Sequence, residues 1–439
     1  MYVKSFFKDK KITVIGLGLL GGVSEIKFLA EMGADLIVTD LKSKKELKSS
    51  LDILKKFKNI KYTIAHHDFK DFQNRDLIVK APTTPLESPY IALARKNGIP
   101  VVMWAALFSK FAKESGAKIV GVTGTRGKTT TTEMIAHIIR KAHKRIILGG
   151  NIKGSSLFAN LSKITKDAIV VLELDSWKLQ GFGDLKISPD ISVFVTFFPD
   201  HMNYYGGNMK KYFDDKANIF KHHKKGDVLI VGSQVLPFMK KWAPKITNSI
   251  LIQDGRISKN LKLQIPGEHN LYNASLASIV ARKLGFKDAF IKKSLEDFKG
   301  VPGRLEFIRE LKGVKYYNDT TATTPEATIA ALSALGKNRN LILIAGGADK
   351  ELKMGTLVKE MKRYCKKVLL LSGTGTNNIK DKVKNAIVID SLKRAVHKAR
   401  YISKPGDTVI LSPAFASFGM FKNEYDRGDQ FIKIVKGLR

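Results

Sequence analysis

Cysteine occurs once in 439 residues, at Cys365. No internal disulfide can form, and such a chain suits a reducing compartment, the cytoplasm. Cys365 lies in the basic stretch Arg363–Lys367, where a buried or incidental thiol explains it better than a nucleophile. Long apolar runs are also missing, and none approaches the roughly 20 residues that a membrane helix needs. The opening Met1-Tyr2-Val3-Lys4-Ser5-Phe6-Phe7 lacks the extended apolar core of a secretory signal. Acidic residues are scarce: 40 Asp and Glu stand against 76 Lys and Arg, a formal charge of +36. Such an excess attracts nucleic acid or small anions. The lysines run along the whole chain, with no zinc-finger or RNP pattern, so small anions account for the charge better than RNA. No short-period repeat and no low-complexity tract occurs.

Hydrophobic residues make up 44% of the chain, enough for packed cores, and the length predicts two to four domains. The most informative stretch is Gly121-Val122-Thr123-Gly124-Thr125-Arg126-Gly127-Lys128-Thr129-Thr130. Ile119, Val120 and Val122 before it read as a buried strand, and Thr131–Lys141 after it reads as a helix. Strand, glycine loop with Lys-Thr, and helix together make a phosphate cradle of backbone N–H groups. Lys128 reaches for the terminal phosphates, and the Thr129 hydroxyl suits Mg²⁺. The general pattern wants a glycine where Val122 stands, so only Gly124–Thr129 carries the signal. The plainer alternative is a chance Gly-Lys-Thr in a surface turn.

Strand and helix patterns alternate, which predicts an α/β chain with parallel sheets. Three blocks separate, at residues 1–103, 104–300 and 301–439. They are expected to be a Rossmann-like N-terminal domain, a central P-loop ATPase-like parallel-sheet domain and a C-terminal Rossmann-like domain. In the first, the strand Lys11–Ile15 meets Gly16-Leu17-Gly18-Leu19-Leu20-Gly21, the helix Ser24–Met32 and the strand Ala34–Thr39. Asp40 follows 19 residues after the last glycine, the spacing of a dinucleotide fold. In the second, the apolar run Ala168–Leu172 ends at Glu173, where an NTPase places a magnesium contact. Strands at Ile191–Thr196 and Asp227–Val231 follow, then Gly267–Asn273, introducing a helix through Leu284. The third holds strands at Lys315–Tyr317, Leu341–Ala345, Val368–Leu371, Ala386–Ile389 and Thr408–Leu411, again doubly wound.

The motifs stand in one order. Gly124–Thr130 is followed by Gly149-Gly150-Asn151-Ile152, Glu173-Leu174-Asp175-Ser176, Asp200-His201-Met202 and Gly267-Glu268-His269-Asn270. Then come Asn318-Asp319 with Ala322-Thr323, Ser412–Ser417, and Phe421-Lys422-Asn423 with Arg427-Gly428. In this order they resemble the Mur ligases, from Ile12 to near Phe431. The closest branch joins D-glutamate to UDP-N-acetylmuramoyl-L-alanine in cytoplasmic peptidoglycan precursor synthesis, which serves cell-wall growth, shape and division.

The resemblance implies an ATP-dependent ligase in which the substrate carboxylate becomes an acyl phosphate and the amino acid's amine displaces phosphate. It assigns the ATP phosphates to Gly124, Thr125, Gly127, Lys128, Thr129 and Thr130. Asn270 and Asn273 match positions near the adenine, and Arg304 and Asp319 match phosphate and ribose contacts. Mg²⁺ falls to Thr129, Glu173, His201 and Lys216. Lys216, 15 residues after His201, matches a lysine carried as a carbamate, with an ordinary salt-bridged lysine as the alternative. The catalytic group is then Lys128, Glu173, His201 and Lys216. Gly18, Leu19, Leu20 and Asp40 match the uridine end, Asn151 the reacting substrate, and Thr323, Lys350 and Ser417 the D-glutamate site. Domain closure is expected to bring Arg304, Asp319 and Lys350 to the ATP. A monomer is the expectation.

Several positions depart from the family pattern. Thr321 stands where a lysine is usual, Asp175-Ser176-Trp177-Lys178 replaces Ser-Ser-Phe-Gln, and Thr196-Phe197-Phe198-Pro199 replaces Asn-x-Thr-Glu. Glu424 takes an aromatic position. These changes bear on amino-acid choice more than on ligase chemistry. A sister ligase with another amino acid or carboxylate acceptor, or a basic nucleotide-dependent RNA-binding protein, are the other readings.

Overall fold

The computed structural model describes residues 2–18, 22–82, 84–85, 87–150, 157–244, 246, 249–252, 261–384 and 386–439. The chain divides into two compact units, Met1–Ile257 with Asn273–Ser294, and Ser258–Tyr272 with Leu295–Arg439.

The first unit holds two parallel sheets. One contains β1 (Lys11–Ile15), β2 (Asp35–Asp40), β3 (Ile60–Ile64), β4 (Leu77–Val79) and β5 (Val101–Val102), in the order β3-β2-β1-β4-β5. The other contains β6 (Lys118–Thr123), β7 (Ile146–Gly150), β8 (Ile169–Glu173), β9 (Ile191–Phe194), β10 (Val228–Val231) and β11 (Ser249–Ile252). Its order is β11-β10-β9-β6-β8-β7. Central strands are apolar throughout because helices cover both faces. In β6, every residue after Lys118 is buried. One continuous core serves both sheets. Phe7 and Phe111 meet edge to face at 5.5 Å, as do Phe28 and Phe158, and Trp104 closes on Phe158 at 5.2 Å. Such ring pairs add about 1 kcal/mol each beyond their buried area.

The second unit holds β12 (Glu306–Leu311), β13 (Val314–Asn318), β14 (Leu341–Gly346), β15 (Cys365–Leu371), β16 (Ala386–Ile389) and β17 (Thr408–Leu411). Their order is β12-β13-β17-β14-β15-β16. This sheet is doubly wound as expected, with one antiparallel strand added at its edge. β12 pairs antiparallel with β13 through a tight turn at Lys312 (φ 51°) and Gly313 (φ 73°). Two apolar clusters line its faces. Arg427, with no exposed surface, reaches the carbonyls of Thr320 (2.8 Å) and Phe415 (3.4 Å) and the Thr320 hydroxyl (3.1 Å). It thereby clamps the loop after β13 to the loop after β17.

Candidate active site

The phosphate loop joins β6 to the helix Lys128–Lys141. That helix starts three residues before the expected Thr131, so Lys128, Thr129 and Thr130 form its first turn. Their N–H groups lie at the N-terminal end of a helix, where the dipole favours an anion. The earlier start follows from Gly127, a left-handed N-cap at φ 81°. Its missing side chain matters, since a Cβ there would sit 2.5 Å from the Asn273 Oδ1. Gly124 is held at φ 151°, where a Cβ would meet the Thr196 backbone N at 2.9 Å. Thr196 pins the loop by accepting from Thr125 N (2.7 Å, carbonyl) and from Arg126 N (2.8 Å, hydroxyl). Val122 needs no glycine, because it is interior to β6, in register with Glu173 and Val193.

Two lysines converge on one carbonyl. Lys128 Nζ donates to the Gly124 O (3.0 Å) and Thr125 O (3.1 Å), and Lys216 Nζ donates to the same Gly124 O at 3.0 Å. Lys216 comes from the helix Met209–Ala217 and is 1% exposed. Burial, and then the Lys128 charge, push the Lys216 ammonium well below the usual lysine range. Burial lowers Lys128 as well. The shift favours the neutral amine over the ammonium.

Glu173 ends β8 and is 3% exposed, and its Oε2 has no hydrogen-bond partner. An unpaired buried carboxylate oxygen beside a phosphate loop suits a hard divalent cation. Among the described residues no group of three or more His, Cys, Asp or Glu gathers to hold a metal. His201 adopts a left-handed φ of 54°, and its ring lies 4.5 Å from that of Trp177. Burial lowers its pKa, favouring the neutral imidazole that ligates metals. Burial also pushes Asp200 up, but Arg126, His201 and Lys128 outweigh it and hold the carboxyl below its usual range.

In the first sheet, Asp40 Oδ2 accepts from Leu17 N (2.7 Å) and so braces the glycine loop, while Oδ1 accepts from Lys42 N (2.9 Å) in the turn after β2. Gly18 accepts from Gly22 N at 3.0 Å, and a Cβ on Gly18 would meet nothing within 4 Å. Leu19, Leu20, Gly21, Asn151 and Ile152 lie outside the described residues.

The second unit gathers its own set at the carboxyl ends of its strands, the position favoured for ligands in doubly wound sheets. Asp319 is buried, accepting from Ser412 Oγ (2.8 Å) and Leu305 N (3.1 Å). Lys350 Nζ reaches the Thr323 hydroxyl at 3.3 Å. Ala416, next to Ser417, bridges Ala348 two places before Lys350. Arg304 precedes Leu305, and its charge lowers the Asp319 carboxyl against the effect of burial. Asn270 and Asn273 share the helix Glu268–Lys283, which begins within the expected Gly267–Asn273 lead rather than after it. Asn270 Nδ2 donates to Pro266 O at 2.7 Å, and Asn273 lines Gly127. The departures have local reasons. Asp175 caps the helix Ser176–Asp184 through Lys178 N (2.7 Å) and pairs with Lys178 Nζ at 2.8 Å. Thr321 bonds the Gly303 carbonyl at 3.0 Å. Sequence reading did not assign the Thr196 clamp or the Arg427 clamp, since hydroxyl and guanidinium contacts to carbonyls leave no spacing signal.

Burial raises the Asp319 carboxyl to about 7. Free aspartate titrates near 3.9. The native state therefore holds a proton that the unfolded chain releases between those values. Stability is fully present below about pH 4, falls as pH rises to about 7 and is flat above. Asp319→Asn removes this slope. Denaturation at pH 5 and pH 8 is expected to show the variant gaining on the parent by about 2.6 kcal/mol. An unchanged difference between the two pH values would refute it.

A strand, a phosphate loop, a helix and an unpaired carboxylate at the next strand's tip define a nucleotide-dependent enzyme. Comparison with known proteins specifies which. Residues 10–103 match the Mur ligase MurD-like N-terminal domain, 122–255 the Mur ligase middle domain, and 303–415 the Mur ligase glutamate ligase domain. A UDP-N-acetylmuramoylalanine–D-glutamate ligase from Roseiflexus sp. (strain RS-1) is 35% identical, covering 98% of this chain and 99% of that protein. The protein of the same name from Borreliella afzelii is 34% identical over 98% of both. The crystal structure of UDP-N-acetylmuramate-alanine ligase MurC from Thermotoga maritima shares the fold. Its TM-score is 0.60 at 20% identity, over 97% of this chain and 99% of that one. The chain belongs to the Mur ligase family, whose members are ATP-dependent ligases.

Proposed function

We propose that this protein joins D-glutamate to UDP-N-acetylmuramoyl-L-alanine at the expense of ATP. The observation that carries the reading is the likeness to ligases named for that reaction, which runs over 98% of the chain. The local chemistry supports it. A carboxylate is a poor electrophile, so the alanyl carboxylate oxygen attacks the γ-phosphorus of ATP and ADP departs. The glutamate amine then attacks the acyl carbon, loses a proton and expels phosphate. Two anions must meet, which needs preorganised cations.

Lys128 and the N–H groups of Gly127 and Thr129 hold the terminal phosphates in this reading. Glu173, Thr129, His201 and Lys216 would hold Mg²⁺, which neutralises charge on the transferring phosphoryl group when bound. The lowered Lys216 pKa supports its use as a carbamate: the neutral amine adds to CO₂ and sheds one proton, converting a cation into an oxygen ligand. Asn270 and Asn273 are proposed for the adenine, Arg304 and Asp319 for phosphate and ribose. Gly18, Leu19, Leu20 and Asp40 are proposed for the uridine end, and Asn151 for the reacting end. Lys350, Thr323 and Ser417 suit a dicarboxylate, a cation with two hydroxyls. The domain limits at 103 and 300 are proposed with them. Among the described residues no helix is long and apolar enough to cross a membrane. ATP and a UDP-sugar point to the cytoplasm.

The test is phosphate release from purified protein with ATP, Mg²⁺, the UDP-sugar and each amino acid in turn, D-isomers included. Release that needs both the UDP-sugar and D-glutamate is expected. Release with another amino acid alone would make the protein a sister ligase.

A further inference from the structure

Gln180 occupies a place that the ligase reading leaves without a task. It lies in the helix Ser176–Asp184, is 7% exposed, and is bonded on both sides of its amide. Its Oε1 accepts from Lys80 Nζ at 2.8 Å. Lys80 follows β4, is 4% exposed, and is fixed by its own N–H to the Val102 carbonyl (2.9 Å). On the other side, Nε2 donates to Asp215 Oδ2 at 2.8 Å and to the Tyr204 hydroxyl at 3.2 Å. Asp215 Oδ2 also accepts from the Tyr205 hydroxyl at 2.9 Å.

These partners carry the ligand set. Asp215 directly precedes Lys216 in the helix Met209–Ala217. Tyr204 N and Tyr205 N both donate to the His201 carbonyl, at 3.0 and 3.2 Å. Trp177, one turn before Gln180, meets the Tyr204 ring at 5.5 Å and the His201 ring at 4.5 Å. A single amide thus ties β4 of one sheet to the loop bearing His201 and the helix bearing Lys216. Glutamine is matched to this duty. It presents an acceptor to the ammonium and a donor to the carboxylate, while Glu, Lys or Met would satisfy one side at most.

We propose that Gln180, braced by Lys80, is a positioning residue that sets His201 and Lys216 relative to the phosphate loop. The proposal rests on the ligase reading for the roles of those two residues. The Gln180 side chain is held by Lys80, Asp215 and Tyr204, so its effect is expected on the chemical step more than on substrate affinity. Partners that orient metal ligands are worth about 10- to 100-fold in activity.

Gln180→Glu keeps the bond to Lys80 and turns the face towards Asp215 into a second carboxylate. At pH 8 this variant is expected to lose about 30-fold in kcat, with KM for the UDP-sugar within about threefold of the parent. Adding Asp215→Asn restores a donor opposite an acceptor. The double variant Gln180→Glu/Asp215→Asn is expected to return to within about threefold of the parent kcat. Hydrogen exchange supplies a readout that no substrate choice affects: residues 201–217 should exchange faster in Gln180→Glu and regain protection in the double variant. If the parent ignores D-glutamate, the ligase assignment falls and the exchange comparison still decides the role of Gln180. Unchanged exchange in the single variant, a kcat within about threefold, or no recovery in the double variant would each overturn the proposal.

Discussion

Lys128→Ala is expected to abolish turnover, by about a thousandfold or more, while the protein melts within a few degrees of the parent. The loss follows from placement. Lys128 is the one side-chain cation within the first helical turn, and its ammonium already sits on the Gly124 and Thr125 carbonyls that shape the loop. Removing one preorganised donor from a site of developing charge costs about a hundred- to a thousandfold, and a terminal-phosphate cation carries more than one such contact. The fold should tolerate the change because alanine is the best helix former and the lost ammonium was held at a desolvation cost. Phosphate release measured with saturating co-substrates, beside thermal melting, checks both halves. Near-normal release would place the phosphate cradle elsewhere in the chain.

Glu173→Gln is expected to have opposite effects on activity and stability. Its Oε2 is buried at the tip of β8 without a hydrogen-bond partner, and an oxygen desolvated in that way is costly to the fold. An amide of the same shape relieves that charge, so the variant should melt no lower than the parent in metal-free buffer. Mg²⁺ binding needs the charge, so turnover should fall about a hundredfold or more and the half-saturating Mg²⁺ concentration should rise at least about tenfold. Such a split separates a metal-binding carboxylate from a structural one. A structural carboxylate would lose stability on substitution and leave the magnesium dependence unmoved. Titrating phosphate release against Mg²⁺ in both proteins distinguishes the two.

Much of the fold was legible because central parallel strands are mostly apolar and buried along their length. β1, β6, β9, β14 and β17 each contain a run of this kind, and all were readable within two residues. The strands that escaped reading are β3, β5, β7, β11 and β12, and each is the edge of its sheet. An edge strand is covered on fewer sides, so its pattern is diluted: β3 alternates Lys61 and Thr63 with apolar residues, and β5 has only two residues. β12 runs antiparallel, with a burial pattern that never reaches full coverage. Helix starts were less legible than helix bodies. Lys128 begins its helix because Gly127 can take a positive φ, and a glycine in sequence does not announce its dihedral. In the site, residue types with chemistry of their own (Lys128, Glu173, His201, Lys216) stood out in sequence. Residues that act through their neighbours did not. Gln180 and Thr196 are polar side chains of common type, and only the folded chain reveals what each one holds.

The open sheet edges bear on how the protein behaves in concentrated solution. Each of the three sheets ends in two edge strands, and Val388 on the edge strand β16 is 48% exposed, so backbone groups there could template pairing with another copy. Lys61 on β3, Arg309 on β12, and Lys382 and Lys384 before β16 place positive charge along several of these borders. With a net +36, like charge keeps copies apart at distances comparable to the Debye length, about 8 Å at physiological salt. The lysine excess then acts as a colloidal barrier that ordinary salt weakens and that polyanions can collapse.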